Sequence, residues 1–295
     1  MSEAIISEHP RASGWERMRA AVGRLLSIPG MGPLLALLAA SVFFATQTDK
    51  FLTGHNWSLI FQQVVVVGTL AIGQTIVILT SGIDLSNGMI MAFSSIIMTS
   101  LAVEYGVHPA LAVLIGFGLA TLFGMLNGSL VALVKLPPFI VTLGTLNIVY
   151  AITRIYRTTT ISKLPPEILF LGNTFDIGET DIPFGLILMI VLYVIMWWVL
   201  RETAWGRHVY ALGDNPEAAR LAGISTTRLL ISVYTLAGLF YGIAGLLLVA
   251  RTKVGDPQAG QTANLDSITA VVLGGTSLFG GRGNILATLI GALIV

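Results

Sequence analysis

The stretch RETAWGRHVYALGDNPEAARLAGISTTR, from Arg201 to Arg228, lies between two apolar runs and decides how the rest of the chain is organised. The apolar runs extend from Phe184 to Leu200 and from Leu229 to Ala250. Each run is long enough to cross a hydrocarbon core of about 30 Å as a helix. The stretch between them carries four arginines, three acidic residues and one histidine, which lipid cannot accommodate. It is therefore predicted to be a water-facing loop of a membrane protein, and we call it the polar island.

The middle of the polar island predicts a short helix. Asp214 and Asn215 are both suitable N-cap residues, and Pro216 suits the first helical position. Glu217 adds a negative charge at the positive end of the helix dipole, and Gly223 is placed to end the helix. A capped helix in a chain that is otherwise buried in the membrane has two interpretations. It is either a docking element for another protein or an ordinary loop helix.

The composition places the chain among the polytopic α-helical membrane proteins. Only 11% of its 295 residues are charged, 55% are apolar, and the mean hydropathy is +0.85. The apolar residues fall in long blocks separated by short polar joints, which predicts an all-α fold. The sequence contains no cysteine, so disulfides, thiol catalysis and cysteine-ligated metals are excluded.

The sequence predicts neither a metal site nor an enzymatic site. The four histidines fall at or near loops and form no ligand pair: His9, His55, His108 and His208. An intramembrane hydrolase needs a nucleophile beside a base, and no histidine is predicted to lie at membrane depth beside Ser81 or Ser277. Five glycines within 274–283 predict a non-helical turn at the end of a span. This turn lacks the Gly-Lys-Ser/Thr of a P-loop, so no nucleotide site is predicted in this chain.

Residues 1–29 are predicted to form a cytoplasmic segment, and residues 30–295 to form a transmembrane domain. The first segment is too polar for a cleavable signal. Within it, residues 15–26 favour either a basic helix lying on the membrane surface or a disordered tail.

The last apolar run reaches Val295 with no polar stop, so at least one more span is expected in the natural protein. The predicted spans are 31–47, 58–80, 85–104, 109–134, 138–156, 183–200, 229–250, 264–280 and 284 onward.

The distribution of lysine and arginine predicts the orientation of the chain. If the N-terminus is cytoplasmic, ten of the sixteen lysines and arginines fall on the cytoplasmic side. Short cytoplasmic loops carry an excess of these residues, so the N-terminus and the polar island are both predicted to be cytoplasmic. The longest outer loop, 158–183, is then either a contact for an external partner or a plain connector.

A row of small residues with a spacing of four follows one face of the predicted fourth span. It consists of Ala112, Gly116, Ala120, Gly124 and Gly128. The seventh span repeats the pattern with Gly238 and Gly242. Small residues let helix backbones approach closely in lipid. The row therefore predicts packing within the chain or, alternatively, an interface between subunits.

Two acidic residues lie where few charges belong. Asp84 is part of TSGIDLS and Asp266 is part of TANLDS, and each stands at a polar break just before an apolar run. A carboxylate near the middle of the bilayer costs about 3 kcal/mol and usually faces a cavity, a partner or the interface. In the predicted topology, Asp84 begins a span from inside and Asp266 begins one from outside. This relation is typical of inverted repeats whose broken helices face a central pathway. Alternatively, both residues are caps at the membrane surface.

Four stretches of the sequence resemble permease subunits of bacterial ABC importers for monosaccharides, the ribose-type family. The resemblance covers nearly all of the chain from about residue 30. The amino-acid sequences of the last three stretches are most similar to those of fructose-import permeases. The four stretches are GQTIVILTSGIDLSNG (Gly73–Gly88), LPPFIVTLGT (Leu136–Thr145), AWGRHVYALGDNPEAARLAGI (Ala204–Ile224) and LDSITAVVLGGTSLFGGRGNI (Leu265–Ile285).

The resemblance implies an ATP-driven importer of a monosaccharide in the bacterial inner membrane. Such a permease has about ten transmembrane helices, of which eight or nine are expected in this sequence, and it forms a homodimer. Its partners would be a separate ATP-binding subunit, which holds ATP and magnesium, and a periplasmic sugar-binding protein. This chain would hold no cofactor and would not be an enzyme. The alternative function is an ion-coupled secondary transporter that uses Asp84 and Asp266.

The resemblance also implies roles for individual residues. In this family a short helix enters a groove of the ATPase, and the matching residues here are Glu217, Ala218, Ala219, Arg220 and Gly223. A neutral sugar needs amide, hydroxyl and carboxylate groups along its pathway. The candidate pathway residues are Gln74, Asp84, Asn127, Thr142, Thr145 and Asp266.

Overall fold

A computed structural model describes residues 30–295 of the chain. Residues 1–29, which include the predicted surface helix, lie outside the described part. Antiparallel strands β1 (Thr174–Ile177) and β2 (Thr180–Pro183) form a short hairpin. The helices are α1 (Met31–Gln47), α2 (Gly54–Leu79), α3 (Asn87–Val103), α4 (Pro109–Leu133), α5 (Pro138–Tyr156), α6 (Pro166–Leu169), α7 (Phe184–Glu202), α8 (Ala204–Asp214), α9 (Pro216–Leu221), α10 (Thr226–Thr252), α11 (Ala263–Leu273) and α12 (Ile285–Ile294).

Apolar helices make up most of the described part of the chain. Five of them, α2, α4, α5, α7 and α10, are long and apolar enough to cross a membrane, and α1, α3, α11 and α12 are shorter apolar helices. Large apolar side chains stay exposed on the outer faces of these helices, as Leu114 and Leu122 do on α4. A surface of this kind suits lipid rather than water. The prediction of an all-α polytopic membrane protein is confirmed.

The bundle has two ends, which we name after the elements that lie there. The island end carries α8 and α9, the helices of the polar island between α7 and α10. The hairpin end carries β1 and β2, and the Asp181 backbone amide there donates to the Ser58 hydroxyl near the start of α2 (2.7 Å). α10 has 27 residues, so it extends about 40 Å from the island end to the hairpin end. The hairpin was not predicted from the sequence, because each of its strands has only four residues.

Small residues bring α4 against the central helix α10. A Cβ atom added to Gly124 would lie 2.2 Å from the Tyr234 carbonyl oxygen. One added to Gly238 would lie 2.4 Å from the Ala120 carbonyl oxygen. Any side chain at these positions would therefore push the two backbones apart. The predicted row of small residues is confirmed as packing within the chain.

The first broken helix consists of residues 80–86 and the half-helix α3. It follows α2, which ends at the island end. There the Leu79 carbonyl oxygen accepts a hydrogen bond from the Gly281 amide (3.0 Å). Residues 80–86 then turn back into the bundle instead of leaving it. The Asp84 carboxylate meets Tyr241 of α10, which lies about 22 Å along that helix from its start. α3 therefore begins near the middle of the bundle and runs toward the hairpin end.

The second broken helix consists of residues 253–262, which follow α10, and the half-helix α11. After α10 the chain turns at the hairpin end, where Gly255 and Ile161 exchange backbone hydrogen bonds. It then enters the bundle as far as Gly260, whose carbonyl oxygen lies beside Gly88 at the start of α3. α11 begins here and runs to the island end. The half-helices α3 and α11 thus leave a common level in opposite directions, which agrees with the inverted relation predicted from the sequence.

One of the two alternatives for Asp84 and one predicted span boundary are wrong. Asp84 does not cap a helix at the membrane surface, because its side chain is fully buried. The predicted span 264–280 is too long, because α11 ends at Leu273. The next residues form the glycine-rich turn, in which Gly275 takes a φ of +82° that ends helical geometry. The prediction that this turn is non-helical is confirmed.

Candidate functional site

The N-terminal ends of α3 and α11 meet in the middle of the bundle, and we call this contact the junction. The Asn87 side-chain amide donates to Gln74 Oε1 (3.0 Å) and to Ser267 Oγ (2.8 Å). All three side chains are fully buried, so one asparagine joins α2, α3 and α11 inside the protein. The backbones also touch, since a Cβ atom added to Gly88 would lie 2.3 Å from the Gly260 carbonyl oxygen.

A buried carboxylate shapes the segment that leads into the junction. Asp84 Oδ1 accepts hydrogen bonds from the Ser86 backbone amide (2.8 Å) and the Ser86 hydroxyl (2.6 Å). Asp84 Oδ2 accepts one from the Tyr241 hydroxyl (3.2 Å). The Ser86 hydroxyl also accepts from the Asn127 amide (2.9 Å). Within residues 30–295 no cationic side chain pairs with Asp84, so these hydrogen bonds hold the carboxylate in place.

Two threonines of α5 hold the same segment from the other side. The Thr142 hydroxyl donates to the Ile83 carbonyl oxygen (3.0 Å) and accepts from the Leu85 amide (3.1 Å). It therefore supplies the partners that an extended backbone inside a helical bundle would otherwise lack. The Thr145 hydroxyl donates to Asn127 Oδ1 and so joins α5 to α4. The first broken helix is thus fixed by side chains from three helices, α4, α5 and α10.

The structure brings together five of the six predicted pathway residues: Gln74, Asp84, Asn127, Thr142 and Thr145. The sixth, Asp266, lies one turn into α11 and lines a separate crevice of 750 Å³ between α1, α2 and α12. Asp84 and Asp266 therefore do not share a site. Across residues 30–295 there is also no group of three or more histidine, aspartate or glutamate side chains that could hold a metal ion. That these residues line a pathway stays a prediction.

Sequence reasoning missed Asn87, Ser267 and Tyr241, which all bond to this network. Asn87 is the third residue after Asp84. It would have been found if the break had been placed inside the bundle rather than at its surface. Ser267 follows Asp266 directly, and the sequence pattern was interpreted through the acidic residue alone. Tyr241 lies in a long apolar run and gives no signal of its own.

Substitutions of Asp84 are expected to show that its carboxylate has a positioning role. Asp84→Ala should lower the thermal stability of the protein, because it removes the acceptor of three buried donors, and an unsatisfied buried group costs about 1–3 kcal/mol. Asp84→Asn keeps one oxygen for Ser86 and should retain most of that stability. Thermal unfolding of the purified protein in detergent measures both effects. Equal destabilisation by the two substitutions would contradict this role and show that the negative charge itself is needed.

The second candidate site is the short helix α9 on the polar island. Asn215 Oδ1 accepts hydrogen bonds from the backbone amides of Glu217 (3.1 Å) and Ala218 (2.9 Å). Of the two predicted N-cap residues, Asn215 is therefore the one that caps the helix. Pro216 occupies the first helical position, as predicted. Gly223 has a φ of +84° directly after the C-cap residue Ala222, which confirms its predicted role in ending the helix.

The exposed face of α9 combines charged and apolar side chains. Glu217 and Arg220 form an ion pair (2.6 Å) across one helical turn, and both are exposed. The hydrogen bonds and charge of Arg220 lower the pKa of the Glu217 carboxyl. Ala218 is exposed, whereas Ala219 is buried and anchors the helix. Leu221, which sequence reasoning missed, is 76% exposed and adds an apolar contact surface.

Both broken helices contact the polar island, and we call this place the island contact. A Cβ atom added to Gly213 of α8 would lie 1.8 Å from the Leu79 carbonyl oxygen and 2.5 Å from the Gly281 amide nitrogen. The Ser81 hydroxyl donates to the carbonyl oxygen of Phe279 (2.7 Å) or of Gly213 (3.1 Å). The island contact thus joins α8 to the first broken helix and to the glycine-rich turn after α11.

Spanning helices, two half-helices that meet inside the bundle and a buried polar junction define a polytopic transport protein. Broken helices that meet at the middle of a membrane bundle are a recurrent device for placing polar groups along a transport pathway. Residues 56–295 match the family described as "Branched-chain amino acid transport system / permease component". The chain belongs to this family of permeases.

Individual relatives within this family are import permeases for sugars. The chain is 49% identical over 278 residues to the fructose import permease protein of Rhizobium meliloti. The alignment covers 92% of this chain and 77% of that protein. It is 41% identical over 268 residues to the ribose import permease protein of Bacillus subtilis, covering 90% and 82%. No solved structure matches the chain. The predicted resemblance to permeases of monosaccharide importers is confirmed.

Proposed function

We propose that this chain is the membrane-spanning subunit of an ATP-driven importer that moves a monosaccharide across the bacterial inner membrane. The observation that best supports the proposal is the junction, where amides and hydroxyls lie inside an apolar bundle at the meeting point of two half-helices. In this proposal the chain performs no chemical step. ATP with magnesium is bound and hydrolysed by a separate subunit, and the chain changes shape in response.

The charge of the junction favours a neutral substrate. An amino acid is a zwitterion, and a buried site for it needs partners for both an ammonium and a carboxylate group. Asp84 is the one carboxylate that bonds to this network in the described structure, and no lysine, arginine or histidine bonds to it. Its side chain has no exposed surface, because the hydrogen bonds of Ser86 and Tyr241 enclose it. A monosaccharide needs hydroxyl and amide partners instead, and these are the groups that the junction offers.

The exposed face of α9 is the proposed docking surface for the ATP-binding subunit. Ala218 leaves room for close approach, and Leu221 adds apolar area. Glu217 and Arg220 provide charged contacts at the rim, where they contribute to specificity more than to affinity. The island contact supports this role, because Gly213 lies against both the end of α2 and the turn after α11. A displacement of α8 and α9 would therefore reach both broken helices.

The proposed assembly contains two copies of this chain, the ATP-binding subunit and an external sugar-binding protein. The polar island and the N-terminus are proposed to lie in the cytoplasm, so the hairpin end faces the periplasm. A cleft of 490 Å³ at the hairpin end is lined in part by Asp181, Arg251 and Lys253. Charges of both signs around such a cleft suit the docking of a soluble protein.

Reconstitution of the full-length protein with its ATP-binding subunit and sugar-binding protein in liposomes tests the proposed function. Uptake of radiolabelled fructose or ribose is expected only when ATP is present on the island side. Dissipating sodium and proton gradients should leave the rate unchanged. Uptake that needs an ion gradient and proceeds without the ATP-binding subunit would overturn the proposal and support a secondary transporter.

Ala218→Arg is expected to uncouple this subunit from the ATP-binding subunit. The new side chain would project from the exposed face of α9 and keep the partner from approaching. The Asn215 cap bonds to the backbone amides of Glu217 and Ala218 and not to the Ala218 side chain, so α9 itself should remain folded. Uptake should fall about tenfold or more, which corresponds to a loss of about 1.4 kcal/mol of interaction free energy. Thermal stability of the permease alone should not change.

The matched control is Ala204→Arg, which adds the same charge at an exposed alanine at the other end of α8. Uptake by this variant should stay close to that of the unaltered protein. Equal uptake by Ala218→Arg and Ala204→Arg would show that α9 is not the docking surface. Pull-down of the ATP-binding subunit by each variant would report the contact directly.

A further inference from the structure

Three buried amide atoms at or beside the junction have no hydrogen-bond partner within residues 30–295. They are Gln74 Nε2, Asn87 Oδ1 and Asn264 Oδ1. The first is a donor and the other two are acceptors. Each unsatisfied buried polar group costs about 1–3 kcal/mol, so native proteins keep such groups where water or a ligand completes them. Their concentration in one place indicates that something polar binds there.

Asn264 lines a cleft of 250 Å³, which we call the junction cleft. It lies between α5, the start of α3 and the segment that leads into α11. Asn264 belongs to its wall and connects it to the junction, because Ser267 bonds to both the Asn264 carbonyl oxygen (2.9 Å) and the Asn87 amide. The lining residues are Leu85, Met89, Leu146, Asn147, Tyr150, Gly260, Gln261 and Asn264.

The polar residues at the mouth of the junction cleft face outward from the bundle. Asn147, Tyr150 and Gln261 are all exposed. Gln261 is one residue from Gly260, which touches Gly88 at the junction and so lies at the depth of the bundle middle. Amides at this depth are not compatible with hydrocarbon, because lipid offers them no hydrogen-bond partner. The mouth of the cleft therefore opens onto water or onto a polar solute.

The chemistry of the lining matches a neutral polyhydroxylated molecule. Three amides supply donors and acceptors, and the Asn147 amide nitrogen is already bonded to the Leu143 carbonyl oxygen (2.8 Å), which leaves its oxygen as an acceptor. Leu85, Met89 and the Tyr150 ring supply apolar surface for the C–H face of a sugar ring. None of the lining residues, all of which are described, is an acid, a lysine, an arginine or a histidine.

We propose that the junction cleft is the monosaccharide-binding subsite of the transport pathway, with Asn147, Gln261 and Asn264 as hydrogen-bonding residues and Tyr150 as the surface under the ring. This inference rests on the proposed function and assigns its substrate to particular side chains. The residues differ from the six that the sequence suggested. Asp84 does not line the cleft, and it acts indirectly by positioning the segment that carries Leu85 into the wall of the cleft.

Thiol labelling tests the subsite directly, because the chain contains no cysteine of its own. Gln261→Cys is introduced into the full-length protein, which is reconstituted with its ATP-binding subunit and sugar-binding protein. The rate of modification by a water-soluble maleimide is measured with fructose, ribose, xylose or allose present, one at a time. At least one sugar should slow labelling in a saturable manner, by about tenfold when roughly nine-tenths of the sites are occupied. Leucine at the same concentration should have no effect.

Gln258→Cys is the matched control, since Gln258 is exposed three residues earlier in the same segment and does not line the cleft. Its labelling should be the same with and without sugar. Unchanged labelling of Gln261→Cys under all four sugars, in a preparation whose unaltered protein shows ATP-dependent sugar uptake, would overturn the subsite and leave the proposed function standing. Protection by leucine instead of sugar would overturn the substrate class. A preparation with no ATP-dependent uptake of any of the four sugars would overturn the proposed function itself.

Discussion

Gly213→Ala is expected to reduce uptake strongly, because the added methyl group has no space at the island contact. Its Cβ atom would lie 1.8 Å from the Leu79 carbonyl oxygen and 2.5 Å from the Gly281 amide nitrogen. All of these neighbours are backbone atoms, so no side chain can rotate away to make room. α8 would have to move away from α2 and from the glycine-rich turn together. Overpacking of this kind costs about 1–3 kcal/mol, and here it falls on the connection between α9 and the broken helices.

The uptake assay and the pull-down of the ATP-binding subunit together measure this effect. Gly213→Ala should lose sugar uptake by about tenfold or more, whereas binding of the ATP-binding subunit to α9 should persist. Ser81→Ala removes the hydroxyl that bonds to the Gly213 and Phe279 carbonyl oxygens without adding bulk, and it should reduce uptake in the same direction. Gly118→Ala is the control, because a Cβ atom there meets nothing within 4 Å. Full uptake by Gly213→Ala would refute the island contact as the connection.

Gly124→Leu is expected to prevent stable folding of the bundle. A Cβ atom at Gly124 would lie 2.2 Å from the Tyr234 carbonyl oxygen and 3.0 Å from the Gly238 Cα atom, so α4 and α10 would have to separate. The contact between these helices is the most extensive one in the described structure. Without a hydrophobic driving force between helices in lipid, association depends on such close packing. A loss of about 3 kcal/mol or more is expected, which is a large part of the stability of a typical domain.

Thermal unfolding and membrane yield measure this loss. Gly118→Leu is matched to it in helix, residue type and volume, but position 118 faces outward with open space around it. Gly118→Leu should therefore fold as the unaltered protein does. Similar melting temperatures for the two variants would show that the close approach of α4 and α10 is not needed.

The spans were predictable because they depend on a local property of the sequence. A run of about 20 apolar residues crosses a membrane whatever lies around it, so most of the predicted ranges agree with the observed helices. The capped helix α9 was predictable for the same reason, since Asn215, Pro216 and Gly223 act on their own backbone. The spacing of Gly124 and Gly238 indicated close packing, but only the structure shows that the two belong to one contact.

The candidate site was harder to predict, because it depends on which segments meet. Asp84 and Asp266 have similar neighbours in the sequence, yet Asp84 is fully buried in a network and Asp266 lines a separate crevice. No local pattern shows that residues 80–86 turn back into the bundle. Asn147 and Gln261 come together only because the segment before α11 enters the bundle beside α5. Their separation in the sequence hides that relation.

The junction has a consequence for how tightly the membrane is sealed. In the described part of the chain, Asn87 supplies the side-chain hydrogen bonds that join α3 to α2 and α11. These side chains are fully buried, so breaking either bond would leave a polar group without a partner, at a cost of about 1–3 kcal/mol. In the proposed function, these bonds and the backbone contact of Gly88 with Gly260 together close the pathway against leakage. We therefore expect a larger residue at either glycine to separate α3 from the segment before α11 and to let small solutes and ions leak through the proposed pathway.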